Sequence, residues 1–111
     1  MTSPSQPSNT ATPRLVETGN GHFLVESDLT FFTAATLWKT SRKHLEKAPS
    51  SIVIDLSNVQ RIDSAGLALL VEWLRMTKQF GKTLTYRQCP PQLDPIAQVY
   101  DLESLLPCNH G

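Results

Sequence analysis

The sequence predicts a single α/β domain of order β-β-α-β-α-β-α, a mixed sheet with helices packed on it. Three observations predict it. Two short apolar runs flank Gly19-Asn20-Gly21, which is the pattern of a hairpin. Downstream, strand-like runs alternate with segments whose apolar residues recur at helical spacing, as in parallel α/β units. The chain has 111 residues, 40% of them hydrophobic, enough for one ordinary core without help from a metal or a disulfide.

In chain order, residues 1–13 are rich in Ser, Thr, Pro and Asn and are expected to be disordered, having little to bury against the entropy of ordering. Residues 14–106 form the domain. Arg14-Leu15-Val16-Glu17-Thr18 and His22-Phe23-Leu24-Val25-Glu26 are the hairpin strands. Ser27-Asp28-Leu29-Thr30 leads into a helix reaching about Lys47. There Ala34, Leu37, Trp38, Ser41 and Leu45 share one face, and Pro49 forbids continuation. Residues 51–56 read as a central strand covered on both sides. A second helix starts at Ser64, carries Leu67, Leu70, Val71 and Leu74, and ends at Gly81 in a left-handed C′ position, with Lys78 and Lys82 flanking that end. Thr83-Leu84-Thr85-Tyr86-Arg87 is a strand. Asp94 is expected to cap a last helix with Pro95 in its first position and Leu93, Ile96, Ala97 and Tyr100 at helical spacing. Leu102, Leu105 and Leu106 pack the closing segment, and residues 107–111 are a frayed tail.

Ten basic side chains balance ten acidic ones, so the composition carries no electrostatic footprint for nucleic acid or an anionic membrane surface. The apolar run around residues 67–71 is far short of the roughly 20 residues of a membrane span. The N-terminal stretch lacks the charged start and apolar middle of a signal peptide, which points to the cytoplasm. Cys89 and Cys108 read, at their wide spacing, as two free thiols.

Chemistry concentrates at Ile62-Asp63-Ser64-Ala65-Gly66-Leu67, where a polar loop opens a helix whose first N–H groups have no partner in the helix. Ser64 fails as a hydrolase nucleophile. The strained elbow needs Gly two residues earlier, where Ile62 stands, and the only downstream histidine is His110 near the chain end. His22, His44 and His110 lie on different elements without ligand spacing, and no Gly-rich phosphate loop is present, so neither metal, cofactor nor nucleotide hydrolysis is implied. Asp63 or Ser64 can cap the helix. Gly66, costly in a first helical turn, points instead to a bare backbone that something approaches closely. Trp38 reads either as core or as an exposed anchor rimmed by Lys39, Arg42 and Lys43.

The aliphatic strand ending Asp55-Leu56-Ser57, followed by Ile62-Asp63-Ser64-Ala65-Gly66-Leu67 and a long helix, resembles the STAS domain of sulfate transporters and anti-anti-sigma factors. The resemblance spans roughly residues 15–106. Asp63-Ser64-Ala65-Gly66-Leu67-Ala68-Leu69-Leu70, Leu37-Trp38 and Val99-Tyr100-Asp101-Leu102 are similar to the MlaB branch, small subunits of the Mla phospholipid-transport ABC complex. Ser27 departs from the pattern, since many members carry Gly before the acidic-Leu step. The resemblance implies a non-enzymatic cytoplasmic subunit that binds and stabilises or regulates an ABC ATPase (MlaF-like) in a complex with a membrane permease. It would then lie at the inner membrane without inserting, and serve outer-membrane lipid asymmetry. Asp63, Ser64, Ala65, Gly66 and Leu67, with Trp38 as a neighbour, would form the partner surface. The alternative it implies is an anti-anti-sigma factor regulated by phosphorylation of Ser64.

Overall fold

The computed structural model describes residues 12–102 and 105–109; the disorder expected of residues 1–11 and the end of the tail at 110–111 lie outside them. Four main strands and three helices follow the expected order. They are β1 (Leu15–Gly19), β2 (His22–Val25), α1 (Ala34–Lys47), β3 (Ser51–Asp55), α2 (Ser64–Gln79), β4 (Thr83–Arg87) and α3 (Leu93–Val99). A two-residue strand, β5 (Cys108–Asn109), completes a sheet of order β1-β2-β3-β4-β5. Among the described residues only β1 and β2 are antiparallel, and the register of their hairpin shifts between Glu17 and Gly19 in a bulge. Every other pair is parallel.

Burial alternates along the strands, and cross-strand register aligns the buried positions. Phe23, Ile54 and Tyr86 form one row, and Ile52 and Leu84 another. The opposite face carries Leu24, Val53 and Thr85, all half-buried. The expectation that β3 is covered on both sides is therefore corrected. Val53 sits between His22 and Thr85, and polar neighbours of that kind suit a half-open sheet face.

Helices α1 and α2 meet over the sheet through a polar pin. Trp73 is fully buried, and its indole Nε1–H donates to Ser41 Oγ at 2.7 Å. Burying an indole without a partner is costly, so Ser41 at the centre of an otherwise apolar helix face serves that donor. The Tyr86 hydroxyl likewise donates to the Leu70 carbonyl at 2.6 Å, which ties β4 to α2. Burial raises the Tyr86 phenol well above its usual range, so it stays a neutral donor.

The end of α2 matches expectation. Gly81 has φ 74°, Lys82 N–H donates to Thr77 C=O and Gly81 N–H to Lys78 C=O, each at 2.9 Å, completing a Schellman motif. Lys82 itself serves a different helix. Its ammonium donates to the carbonyls of Leu45 (2.8 Å), Glu46 and Ala48 (2.6 Å), at the C-terminal end of α1. A cation there satisfies orphan carbonyls and suits the negative pole of the helix.

Several boundaries differ from expectation. Helix α1 starts at Ala34 because residues 27–33 are held by Leu29, whose backbone bridges Ile62. Asp94 does not cap α3; Gln92 holds that position without a side-chain cap, and Asp94 falls in the first turn. Leu106 is buried, but Leu105 is 58% exposed. The segment expected to fray instead pairs Cys108 and Asn109 with β4. Cys89 and Cys108 are not free thiols but a disulfide. The chain leaves β4 through Gln88 at φ 56° and returns alongside it, leaving the two Cα atoms 6.1 Å apart, within bridging reach.

Lys82→Met should lower stability by about 1–2 kcal/mol through loss of its bonds to α1. Urea unfolding should show a lower midpoint with an unchanged slope, and amide exchange should rise at residues 44–48.

Candidate functional site

Two loops meet at the C-terminal ends of β2 and β3 and brace one another. Leu29 N–H donates to Arg61 C=O at 2.9 Å, and Asp63 N–H donates to Leu29 C=O at 3.1 Å. Their carboxylates cross in both directions. Asp28 Oδ1, on the first loop, accepts from the N–H groups of Gln60 (3.0 Å) and Arg61 (3.1 Å) on the second. Asp63 Oδ2, on the second loop, accepts from Phe31 N–H on the first at 3.0 Å.

The other oxygen of Asp63 caps α2, accepting from Ala65 N–H (2.9 Å) and Gly66 N–H (3.1 Å). Partial burial pushes this carboxyl upward, but the N–H groups of Phe31, Gly66 and Ala65 outweigh it and hold the pKa below its usual value. Asp63 is therefore the cap, and Ser64 is released from that role. Ser64 is exposed, and its hydroxyl makes no hydrogen bond among the described residues.

Gly66 does have a close neighbour, but from its own chain. A Cβ there would overlap the Leu29 carbonyl oxygen and stand 2.6 Å from its carbon. Gly66 and Leu67, which the family resemblance places on a partner surface, are both buried and face inward. The glycine lets α2 start against Leu29, and Leu67 enters the core. Asp63 and Ala65 are half-buried beside Ser64. Trp38 is partly buried against the core from α1, between its two sequence readings.

The site also contains residues that sequence reasoning missed. Phe31 and Phe32 are 75% and 88% exposed and stack edge to face with centroids 5.8 Å apart. Phe31 hangs by its N–H from the carboxylate that caps α2. The available signal was their position. Two adjacent aromatics cannot both join the one apolar stripe of α1, so at least one had to face outward. A crevice of about 1160 Å³ runs beside them, lined by Asp28, Phe32, Gln60, Arg61 and Asp63 among others. His22 lies on β2, and His44 packs edge-on against Phe23, so neither stands on the two loops. The arrangement presents an exposed hydroxyl, two aromatic rings and a helix start on a rigid base, which suits docking.

The family model described as Mlab, STAS domain, matches residues 17–107. In fold, the chain is similar to an anti-sigma-factor antagonist (STAS) domain protein from Planctomyces limnophilus. The TM-score is 0.69 at 16% identity, covering 86% of this chain and 88% of that one. It is also similar to the anti-sigma factor antagonist SpoIIAA in its unphosphorylated form, with TM-score 0.59, 12% identity and 86% of each chain covered. A third similarity is to murine Solute Carrier 26 family member A9, an anion transporter in the inward-facing state. There the TM-score is 0.60 at 16% identity, over 74% of this chain and 14% of the transporter. No curated protein matches the chain.

Gly66→Ala should force Leu29 away from α2 and destabilise the fold by about 1–3 kcal/mol, the usual range for overpacking, as a lowered thermal midpoint. The depressed pKa of Asp63 stabilises the fold above the unfolded carboxyl value near ~3.9, and this is lost as pH falls through the folded value. Asp63→Asn should therefore show a shallower loss of stability than the parent in acid denaturation below about pH 4.

Proposed function

Because the chain belongs to the MlaB-type STAS domain family, we propose that it is a non-enzymatic accessory subunit of an ABC-type phospholipid transporter. It binds the transporter's ATPase and stabilises or regulates it. The observation that carries this reading is the braced face at the start of α2, where Ser64, Phe31 and Phe32 project from loops locked by Asp28 and Asp63.

A face of this kind suits protein recognition for energetic reasons. Aromatic side chains dominate interface hot spots, and a loop that is already ordered loses little entropy on docking. A subunit that binds only the folded ATPase stabilises it by mass action. Among the described residues no helix is long and apolar enough to cross a membrane. Attachment to the inner membrane then runs through the ATPase and its permease, on the cytoplasmic side.

A second reading is favoured by one observation. The Ser64 hydroxyl is exposed at a helix N-terminus, and the similar anti-sigma factor antagonist SpoIIAA is described in its unphosphorylated form. Phosphate on Ser64 would add about −1.5 to −2 charges to the docking face. The helix N-terminus accommodates that charge, and an acidic partner surface rejects it. In that case the chain acts as an anti-anti-sigma factor.

Co-expression with the cognate ATPase tests the first reading. The ATPase should lose yield and activity without this chain, and an ATPase indifferent to it would refute the proposal. Phe31→Ala with Phe32→Ala should weaken binding by about 30-fold, the scale of a hot-spot loss near 2 kcal/mol, with little change in melting. Ser64→Glu should weaken binding similarly, whereas Ser64→Ala should leave the fold intact because Asp63 is the cap. Intact mass of the protein from its native cells decides the second reading, which requires a phosphate on Ser64.

A further inference from the structure

The pairing of Cys89 with Cys108 lies outside the docking face, and nothing in the proposed subunit role accounts for it. The C-terminal edge of the sheet is held by little else. Strand β5 has two residues, paired with Tyr86 and Arg87 of β4, and Tyr86 N–H donates to Pro107 C=O at 3.0 Å just before it. The enclosed segment contains α3, seven residues long, whose buried side chains are Leu93 and Ala97. Short edges of this kind open at low free energy unless a covalent tie limits the open state.

The tie also reaches the docking face. Cys89 continues through Pro90 and Pro91 to Gln92, whose side-chain N–H donates to Gln60 C=O at 3.0 Å. Gln60 N–H in turn bonds Asp28. A second crevice of about 430 Å³ runs along this connection and shares Ser57, Gln60 and Gln92 with the larger one.

We propose that Cys89–Cys108 is a reversible thiol–disulfide latch that holds β5 against β4 and α3 against α2 when oxidised and releases them when reduced. A dithiol reductant attacks Cys108 Sγ, the more exposed of the two, and the S–S bond breaks with Cys89 leaving as a thiolate that takes up a proton. The second thiol of the reductant then attacks the mixed disulfide, freeing the Cys108 thiol and leaving the reductant as a disulfide. Two electrons and two protons pass to the protein. Release loosens residues 89–92, the side of the crevice that Gln92 closes onto Gln60.

The full chain alone suffices for the test, so its outcome is independent of any partner. Alkylation read by intact mass should find no free thiol in air-oxidised protein and two after dithiothreitol. Amide exchange at residues 93–99 and 105–109 should rise at least tenfold on reduction, with β3 and α1 unchanged, and oxidised glutathione should restore protection. Cys108→Ser should show the reduced pattern with and without dithiothreitol. Two free thiols in the oxidised protein, unchanged exchange on reduction, or Cys108→Ser keeping the oxidised pattern would overturn the latch. Exchange rising throughout the domain on reduction would also overturn it, since the disulfide would then be a staple for the whole fold.

Discussion

The start of α2 lies against the carbonyl of Leu29 with no room for a side chain between them, and much of the domain depends on that approach. Leu29 is fully buried and belongs to a loop, so its backbone groups need partners. It finds them in Arg61 and Asp63, which works only if the second loop comes close enough. Gly66 permits that distance. Once the loops are in contact, Asp28 and Asp63 can each reach across, and Ile62 can bridge to Leu29. The helix start, the loop conformation and the exposure of Phe31 and Phe32 thus rest on one missing side chain.

The two acidic residues of the site divide the polar requirements of a loop pair. Each carboxylate is an acceptor without donors, and each is surrounded by N–H groups that secondary structure leaves unpaired. Capping by Asp63 rather than Ser64 leaves the serine hydroxyl on the surface with no structural duty. A residue free of structural duty at an exposed helix start can be selected for contact or modification alone. The same division explains why the bare-backbone reading of Gly66 was right in physics and wrong in direction: the close visitor is Leu29, not a partner.

The parts of the fold that were legible in the sequence are those set by local pattern. The apolar stripe of α1, the long α2 with its Gly81 terminus, and the hairpin at Gly19-Asn20-Gly21 come from spacing and turn chemistry within a few residues. What escaped reading is non-local. Lys82 looked like a flank of its own helix, and its ammonium reaches the end of α1 across 34 to 37 residues of sequence. Ser41 was legible as a member of the buried face of α1, but not its duty there, which is to accept the Trp73 indole N–H. Cys89 and Cys108, separated by 19 positions, become neighbours only through the parallel return of β5. At the site, Asp63 and Ser64 were legible because a helix start announces itself, but the bond from Asp63 to Phe31, a residue 32 positions away, was not.

The bulge in β1 has a consequence for how this chain meets others. A sheet edge exposes a row of unpaired N–H and C=O groups that invite a strand from another molecule. Here one edge is β1, broken in register between Glu17 and Gly19 and flanked by the Arg14–Glu26 ion pair at 2.9 Å. The other is β5, too short to template anything. Among the described residues neither rim offers a long flat ladder, so strand addition is disfavoured on both sides.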